Sequence, residues 1–284
     1  LRLGNIDAAE ALVDRAAAAA EAPAHVAEAA IRKGMILDRR GRSEDARAHL
    51  ERGRALATEL GERQLLGWAR EQLSQVAMRR GRYAEAESLA LEAAADYEDQ
   101  GQLHGVSNCM LIAGVIAIKG GDAAAAQPRF ERLLELSVAA NLRTNEGHAR
   151  MNLGEVARML GDLDAAAAHY AEAELILEPT GGLHALFPRL NRALVQVDQG
   201  ATEEALPVLL RVAEEFARRE RALLESTVRL GLLRCYGARG DGERWDAALA
   251  RACAVLATTD ELDREVAELA EAAGRDADQR GWPD

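Results

Sequence analysis

Few side chains in this sequence stand where they could do chemistry together. Val115-Ile116-Ala117-Ile118-Lys119 puts a lysine at the end of an apolar run, an arrangement that holds nucleotide phosphates when the run is a strand. No glycine-rich loop precedes it and no His-Arg-Asp or Asp-Phe-Gly follows, so the lysine lacks both a phosphate cradle and a catalytic base. The histidines His25, His49, His104, His148, His169 and His184 never recur at three- or four-residue steps, the spacing that sets two metal ligands on one helix face. Cys109, Cys235 and Cys253 are too dispersed for a metal site or a disulfide framework and are expected to be buried, reduced thiols. Arg239-Gly240-Asp241 resembles an adhesion tripeptide, but its glycine belongs to a recurring turn. Gly-x4-Gly-Lys-Ser/Thr, Gly-x-Ser-x-Gly and His-Glu-x2-His patterns are missing. The expectation is a chain that is not an enzyme and carries no metal or cofactor.

The elements that position these residues are announced by a beat. Glycines stand at 4, 41, 81, 121, 161, 200 and 240, each opening a short phrase such as Gly121-Asp122-Ala123-Ala124-Ala125-Ala126. A second series, Gly61, Gly101, Asn141 and Gly181, falls midway. Glycine and asparagine tolerate the left-handed conformation that ends a helix, so both series read as helix stops. Between them apolar residues return at three- and four-residue steps, as in Leu65, Leu66, Trp68, Ala69, Leu73, Val76 and Ala77. Each unit is therefore a helix A, a turn, a helix B and a second turn, and the fold class is all-α. Asp122, Asp162 and Asp241, with Ser43 and Thr202, are expected to cap the B helices. Pro128 and Pro207 lie seven residues past their turn glycines, inside a helix, where a local kink is expected.

A small residue precedes each turn glycine by seven positions: Gly34, Ser74, Gly114, Gly154 and Ala193. Alanine follows it by five, at Ala46, Ala86, Ala126, Ala166 and Ala205. Small residues facing each other let two helices approach closely. A repeat of this period buries its apolar face only against its neighbours, which makes a stacked array. Composition agrees. Of 284 residues 49% are hydrophobic but only 4% aromatic, and no apolar stretch is long enough to span a membrane. The net charge of −12 opposes nucleic-acid phosphates.

The pattern small-x6-Gly-x4-Ala resembles the tetratricopeptide repeat, in which helix A carries Leu-Gly and the turn leads into Gly-x4-Ala-x3-aromatic. Leu153-Gly154, Gly161, Ala166 and Tyr170 match it best, followed by Gly114, Gly121, Ala126 and Phe130. The spacing of 40 exceeds the family's usual ~34. Such long units look like those of bacterial signalling proteins, namely nucleotide-dependent transcription activators and repeat-bearing serine/threonine kinases. HEAT-type repeats share the period but not the paired small residues. The resemblance implies a right-handed solenoid of about six helix pairs over residues 23–257. Residues 1–22 would be helix B of a truncated unit, and residues 258–284 a capping helix, opened by Thr258 and Glu261, with a polar tail.

In this family helix A lines the concave face. The residues this places in the groove are Trp68, Gln72, Gln75 and Arg79; Asn108, Ile112, Val115 and Lys119; His148 and Asn152; Phe187 and Asn191. Aromatic anchors beside amides suit an extended or helical peptide. The lysine–asparagine clamp that some members use for C-terminal carboxylates is absent, since Ile31, Met35, Gln72, Asn108 and Ile112 occupy its positions. The function implied is a cytoplasmic protein–protein interaction scaffold, the repeat region of a larger bacterial regulator. The alternative is a module that senses a small molecule or peptide. A protein or peptide is the expected partner, with no direct nucleic-acid contact and no membrane. The chain starts at leucine with its repeat phrase at residue 4, so a covering helix is expected to be missing, and the bare first helix to pair with a second copy.

Overall fold

The computed structural model describes residues 3–257 and 264–279, and all its regular structure there is helical. In chain order the α-helices are α1 (Leu3–Ala18), α2 (Pro23–Arg39), α3 (Ser43–Leu60), α4 (Arg63–Arg79), α5 (Tyr83–Glu98), α6 (Leu103–Lys119), α7 (Ala123–Ala139), α8 (Arg143–Met159), α9 (Leu163–Leu177), α10 (Leu186–Asp198), α11 (Thr202–Arg218), α12 (Ala222–Arg239), α13 (Gly242–Leu256) and α14 (Arg264–Gln279). Consecutive helices pack in pairs, and the even-numbered A helices also touch one another, α2 against α4, α4 against α6, and α10 against α12. The chain divides into two compact units, Leu1–Val156 and Ala157–Asp284, with the division inside α8.

Apart from Gly4, which lies within α1, the stops are where the two glycine series placed them. In the first series the turn glycine has positive φ, 75° at Gly41 and 82° at Gly200. Two backbone bonds close each turn: Gly41 N–H donates to the Asp38 carbonyl at 2.9 Å and Arg42 N–H to that of Leu37 at 3.0 Å. Asn141 (φ 54°) serves in the second series. So does Glu220 (φ 56°), a residue that carried no turn signal. Asp122, Asp162 and Asp241 cap their helices, each accepting from the backbone N–H three residues on at 2.9–3.2 Å. Ser43 and Thr202 do not. Each is the first residue inside its helix, and neither Arg42 nor Ala201, at the cap position, offers a side-chain bond. Pro128 and Pro207 sit inside α7 and α11, which both run on past them.

Close packing of the pairs follows from the small residues. Ala46, Ala86, Ala126, Ala166 and Ala205 are fully buried. A Cβ added at Gly34 would lie 2.6 Å from Leu50 Cγ and 2.9 Å from the Ala46 carbonyl; one at Gly114 would lie 2.4 Å from the Phe130 ring. Where serine takes this place, Ser74 Oγ instead donates to the Ala86 carbonyl at 2.6 Å. Its counterpart to Leu50 and Phe130 is then only Ala90, so volume is conserved across the pair.

In the first unit, Ile31, Leu37, Leu50, Leu73 and Val76 form one cluster, Ala77, Ala86, Ala90, Ile112 and Ile116 a second, and Tyr97, Val106, Cys109 and Leu136 a third. The second unit holds one larger core around Leu209, Phe216, Leu232 and Leu233, reached by α14 through Val266, Ala273 and Ala277. That helix continues past Gly274 to Gln279, into residues whose composition suggested a polar tail. The expected Thr258–Glu261 capping box lies outside the described residues. In the second unit two 3-10 turns, Glu178–Thr180 and Leu183–Ala185, separate α9 from α10, with Pro179 opening the first and Gly181 closing it. Of the thiols, Cys109 and Cys235 are buried as expected, whereas Cys253 is exposed.

Candidate functional site

In the first unit the A helices α4, α6 and α8 carry most of the residues assigned to the groove. Trp68 is half-buried: one side packs on the cluster of Ile31, Leu50 and Leu73, while the Arg32 guanidinium lies 5.2 Å from its ring centroid. Glu28 holds that guanidinium, accepting from Nε at 3.0 Å and Nη2 at 2.7 Å. A cation held over an indole face is attractive and also fixes the ring. Gln72 and Gln75, one and two turns along α4, are half-buried beside it. Arg79 is exposed but engaged by Asp38 of α2 through both Nε and Nη2. This pair ties adjacent A helices and neutralises the arginine.

On α6, Lys119 is exposed and Val115 half-buried. Ile112 corrects the expectation. It is only 8% exposed and packs among Ala77, Ala86, Ala90, Ala113 and Ile116, because the side of α6 it occupies faces α4 and α5 rather than an open surface. Asn108 is half-buried, and its Oδ1 accepts from Asn145 of α8 at 3.5 Å. On α8, Asn152 turns its amide back to the His148 carbonyl at 2.7 Å. Both are half-buried.

In the second unit, Phe187 and Asn191 lie on α10 and are half-buried. Phe187 packs against that unit's core, its ring centroid 6.0 Å from that of the fully buried Phe216 with the planes tilted by 48°. Neighbouring helices cover this aromatic more than its place in the repeat suggested.

The described residues include two buried carboxylates, Glu71 and Glu225, each 7% exposed, and their surroundings differ. Burial works to raise the Glu225 pKa, but the guanidiniums of Arg229 and Arg251, both bonded to it, outweigh that and hold it below the ordinary range. Glu71 accepts from the Tyr97 hydroxyl at 2.9 Å, a neutral donor. Desolvation therefore prevails and its carboxyl is pushed up, opposed by Tyr97 and by the neighbouring Asn108 and His104. Desolvation likewise raises the neighbouring Tyr97 and Cys109. Among the described residues no three His, Cys, Asp or Glu side chains gather as a metal site would require. The Lys119 run that resembled a phosphate-binding strand is helical, the last turns of α6.

Sequence reasoning missed Glu71 and Tyr97. A signal for the first was available: the same position in the other A helices is aliphatic throughout, Ile31, Leu111, Met151, Leu190 and Leu230.

Helix pairs of this geometry, with small residues at their crossings and a half-buried face on the A helices, define the class. The model of the tetratricopeptide repeat matches residues 27–52, 67–92 and 147–172, each starting on an A helix and ending on the following B helix. Over these stretches the chain carries tetratricopeptide repeats. Solved structures share its fold at low identity. The apo form of RapI superposes with a TM-score of 0.67 at 15% identity, over 89% of this chain and 99% of that one. NprR in complex with its cognate peptide NprX gives 0.60 at 16%, over 95% and 82%. A signal transduction ATPase with numerous domains from Pyrococcus horikoshii, described as having a tetratricopeptide-repeat sensor, gives 0.67 at 15%, over 91% of this chain and 39% of that one. No curated protein matches the sequence significantly.

Proposed function

We propose that this chain is a non-catalytic scaffold that binds a peptide or protein segment along its A helices, as the repeat region of a larger bacterial regulator in the cytoplasm. The observation that carries the reading is Trp68. Packing between repeats covers only part of it, Arg32 holds its ring, and Gln72 and Gln75 follow it on the same face of α4. A rigid aromatic next to hydrogen-bonding amides supplies contact area at low entropic cost to the protein. The NprR structure, which holds its cognate peptide, supports the same use of the fold. Val115, Lys119, His148 and Asn152 extend this face in the first unit; Phe187 and Asn191 stand on α10 of the second.

The test is selection from a phage-displayed library of random 12-residue peptides, followed by calorimetry. Trp68→Ala should weaken a selected peptide at least tenfold, the effect of losing an anchor of ~1.4 kcal/mol or more. Unchanged affinity in this variant would reject the groove.

The sensor description of the Pyrococcus horikoshii protein favours a second reading, in which the array responds to a small molecule or peptide. X-ray scattering separates the two: capture leaves the radius of gyration unchanged, whereas sensing compacts the particle. Direct nucleic-acid binding is excluded from the proposal on the net charge of −12. No membrane role is proposed either: no helix among the described residues is long and apolar enough to span a bilayer. Pairing of two copies through α1 rests on Leu12, which is 64% exposed; sedimentation at high concentration reads it directly.

A further inference from the structure

Arg32 of α2 stands over Trp68 of α4, and the way it is held leaves part of its bonding capacity open. Its guanidinium carbon lies 5.2 Å from the indole centroid. Glu28, one turn earlier, accepts from Nε at 3.0 Å and from Nη2 at 2.7 Å, both through the single oxygen Oε1. A guanidinium carries five N–H donors in one rigid plane. Two are committed to Glu28, so both hydrogens of Nη1 and the second of Nη2 remain. That edge can grip a carboxylate through two parallel bonds. No acceptor among the described residues occupies it. The Arg32 side chain is 55% exposed, which leaves the edge open to a ligand.

An exposed pair four residues apart on a helix is common and by itself marks no site. Here the charge of the surroundings adds to it. One side of α2 runs Glu28, Arg32, Met35 and Arg39, at the same steps of four, three and four residues that carry Trp68 to Arg79 on α4 and Asn108 to Lys119 on α6. Arg39, Arg79 and Lys119 hold one position, the last residue of successive A helices that touch. Arg79 is answered by Asp38, whereas Arg39 and Lys119 are exposed and pair with no carboxylate among the described residues. Counting Glu28 and Asp38, two carboxylates stand against the four cations Arg32, Arg39, Arg79 and Lys119. The chain as a whole carries −12. This side of the A helices is thus opposite in sign to the rest of the protein. Like charges on touching helices repel, so fold stability does not account for the excess.

We propose that Arg32 selects an acidic side chain in the bound segment: an aspartate or glutamate docks on the open Nη1–Nη2 edge while a neighbouring apolar side chain of the same segment rests on Trp68. Glu28 and the indole hold the guanidinium in place, so the arginine loses little freedom on binding. Arg39 and Lys119 strengthen the field that favours such a segment. The inference rests on the groove reading and gives its ligand a charge. Neutral and basic segments are the alternatives that the test decides between.

Peptides recovered on the wild type from the 12-residue library should carry an aspartate or glutamate close to an apolar residue. Replacing that acid by its amide should weaken binding about fivefold. Arg32→Gln should weaken the acidic peptide by the same factor and leave the amide peptide unchanged, a cycle that separates recognition of the acid from support of the Trp68 ring. Arg32→Lys keeps the charge without the two-bonded edge and should fall between. A second readout needs no selected peptide. Tetraglutamate at millimolar concentration should shift the Arg32 side-chain NMR resonances, assigned by their loss in Arg32→Gln, and tetralysine should not. Selected peptides that lack an acid, equal affinity of acid and amide peptides for the wild type, or an equal loss of both in Arg32→Gln overturns the proposal, while a loss in Trp68→Ala still upholds the groove. Failure of the library to yield any peptide sinks the groove reading. Arg32 resonances that tetraglutamate leaves unmoved overturn the acid preference in that case too.

Discussion

Glu71 and Glu220 are single residues in places their repeats assign to something else, and each has a measurable consequence. The Glu71 carboxyl is raised by desolvation, with Tyr97 on α5 and Asn108 and His104 on α6 opposing the shift. The folded protein therefore holds that proton to higher pH than the unfolded chain does. The stability associated with it is complete below the ordinary carboxylate range and is lost as pH rises through the raised value. Glu71→Gln has no such loss, so the variant should gain on wild type between pH 4 and pH 7 in parallel melting curves. A difference that is flat with pH would show the carboxyl to be unperturbed. Glu220 closes its turn with φ of 56°, donating to the Ala217 carbonyl at 3.0 Å while Arg221 reaches that of Phe216 at 2.9 Å. A side chain in this conformation costs ~1–2 kcal/mol, part of which a more flexible unfolded chain takes back. Glu220→Gly should therefore stabilise by about 0.5–1 kcal/mol in urea titration.

At the scale of the helix pair, what matters is the sum of two opposed volumes. Glycine faces leucine at 34 and 50 and phenylalanine at 114 and 130, while serine at 74 takes alanine at 90. Phe130 is fully buried and its ring would lie 2.4 Å from an added Cβ, so Gly114→Ala forces the pair apart and should cost about 1–3 kcal/mol. Phe130→Leu should recover part of this in the double variant, since the two positions share one space. Strict additivity of the two single losses would refute the compensation. Exposed ion pairs, such as Arg63 with Asp99 or Arg80 with Glu44, add orientation more than stability because both partners stand at the surface.

At the scale of the molecule, contacts run from each helix to its neighbours, so stability is local. Leu50 is fully buried in the first cluster, and Leu50→Ala should cost about 2–5 kcal/mol there. Hydrogen exchange should then accelerate in α2 to α4 and stay near wild type in α11 to α13, as expected of a nearest-neighbour array. Uniform acceleration throughout would mean one cooperative body. The same local logic permits a departure from the pattern such as Glu71 to be placed in one repeat without disturbing the rest.

The glycine beat, the facing small residues and the three aspartate caps were legible in the chain itself, because each follows from backbone sterics within a few residues. The A-helix face was legible only as a helical period. Which of its members meets solvent depends on the next pair: Ile112 is covered by α4 and α5, and Phe187 leans on Phe216, whereas Trp68 stays half-open. Arg79 could not be known to be neutralised until Asp38 lay beside it, nor Glu71 to be joined to Tyr97 until α4 met α5. Periodicity specifies what a helix offers; burial and partnership are set by what packs against it, through contacts between residues far apart in the chain.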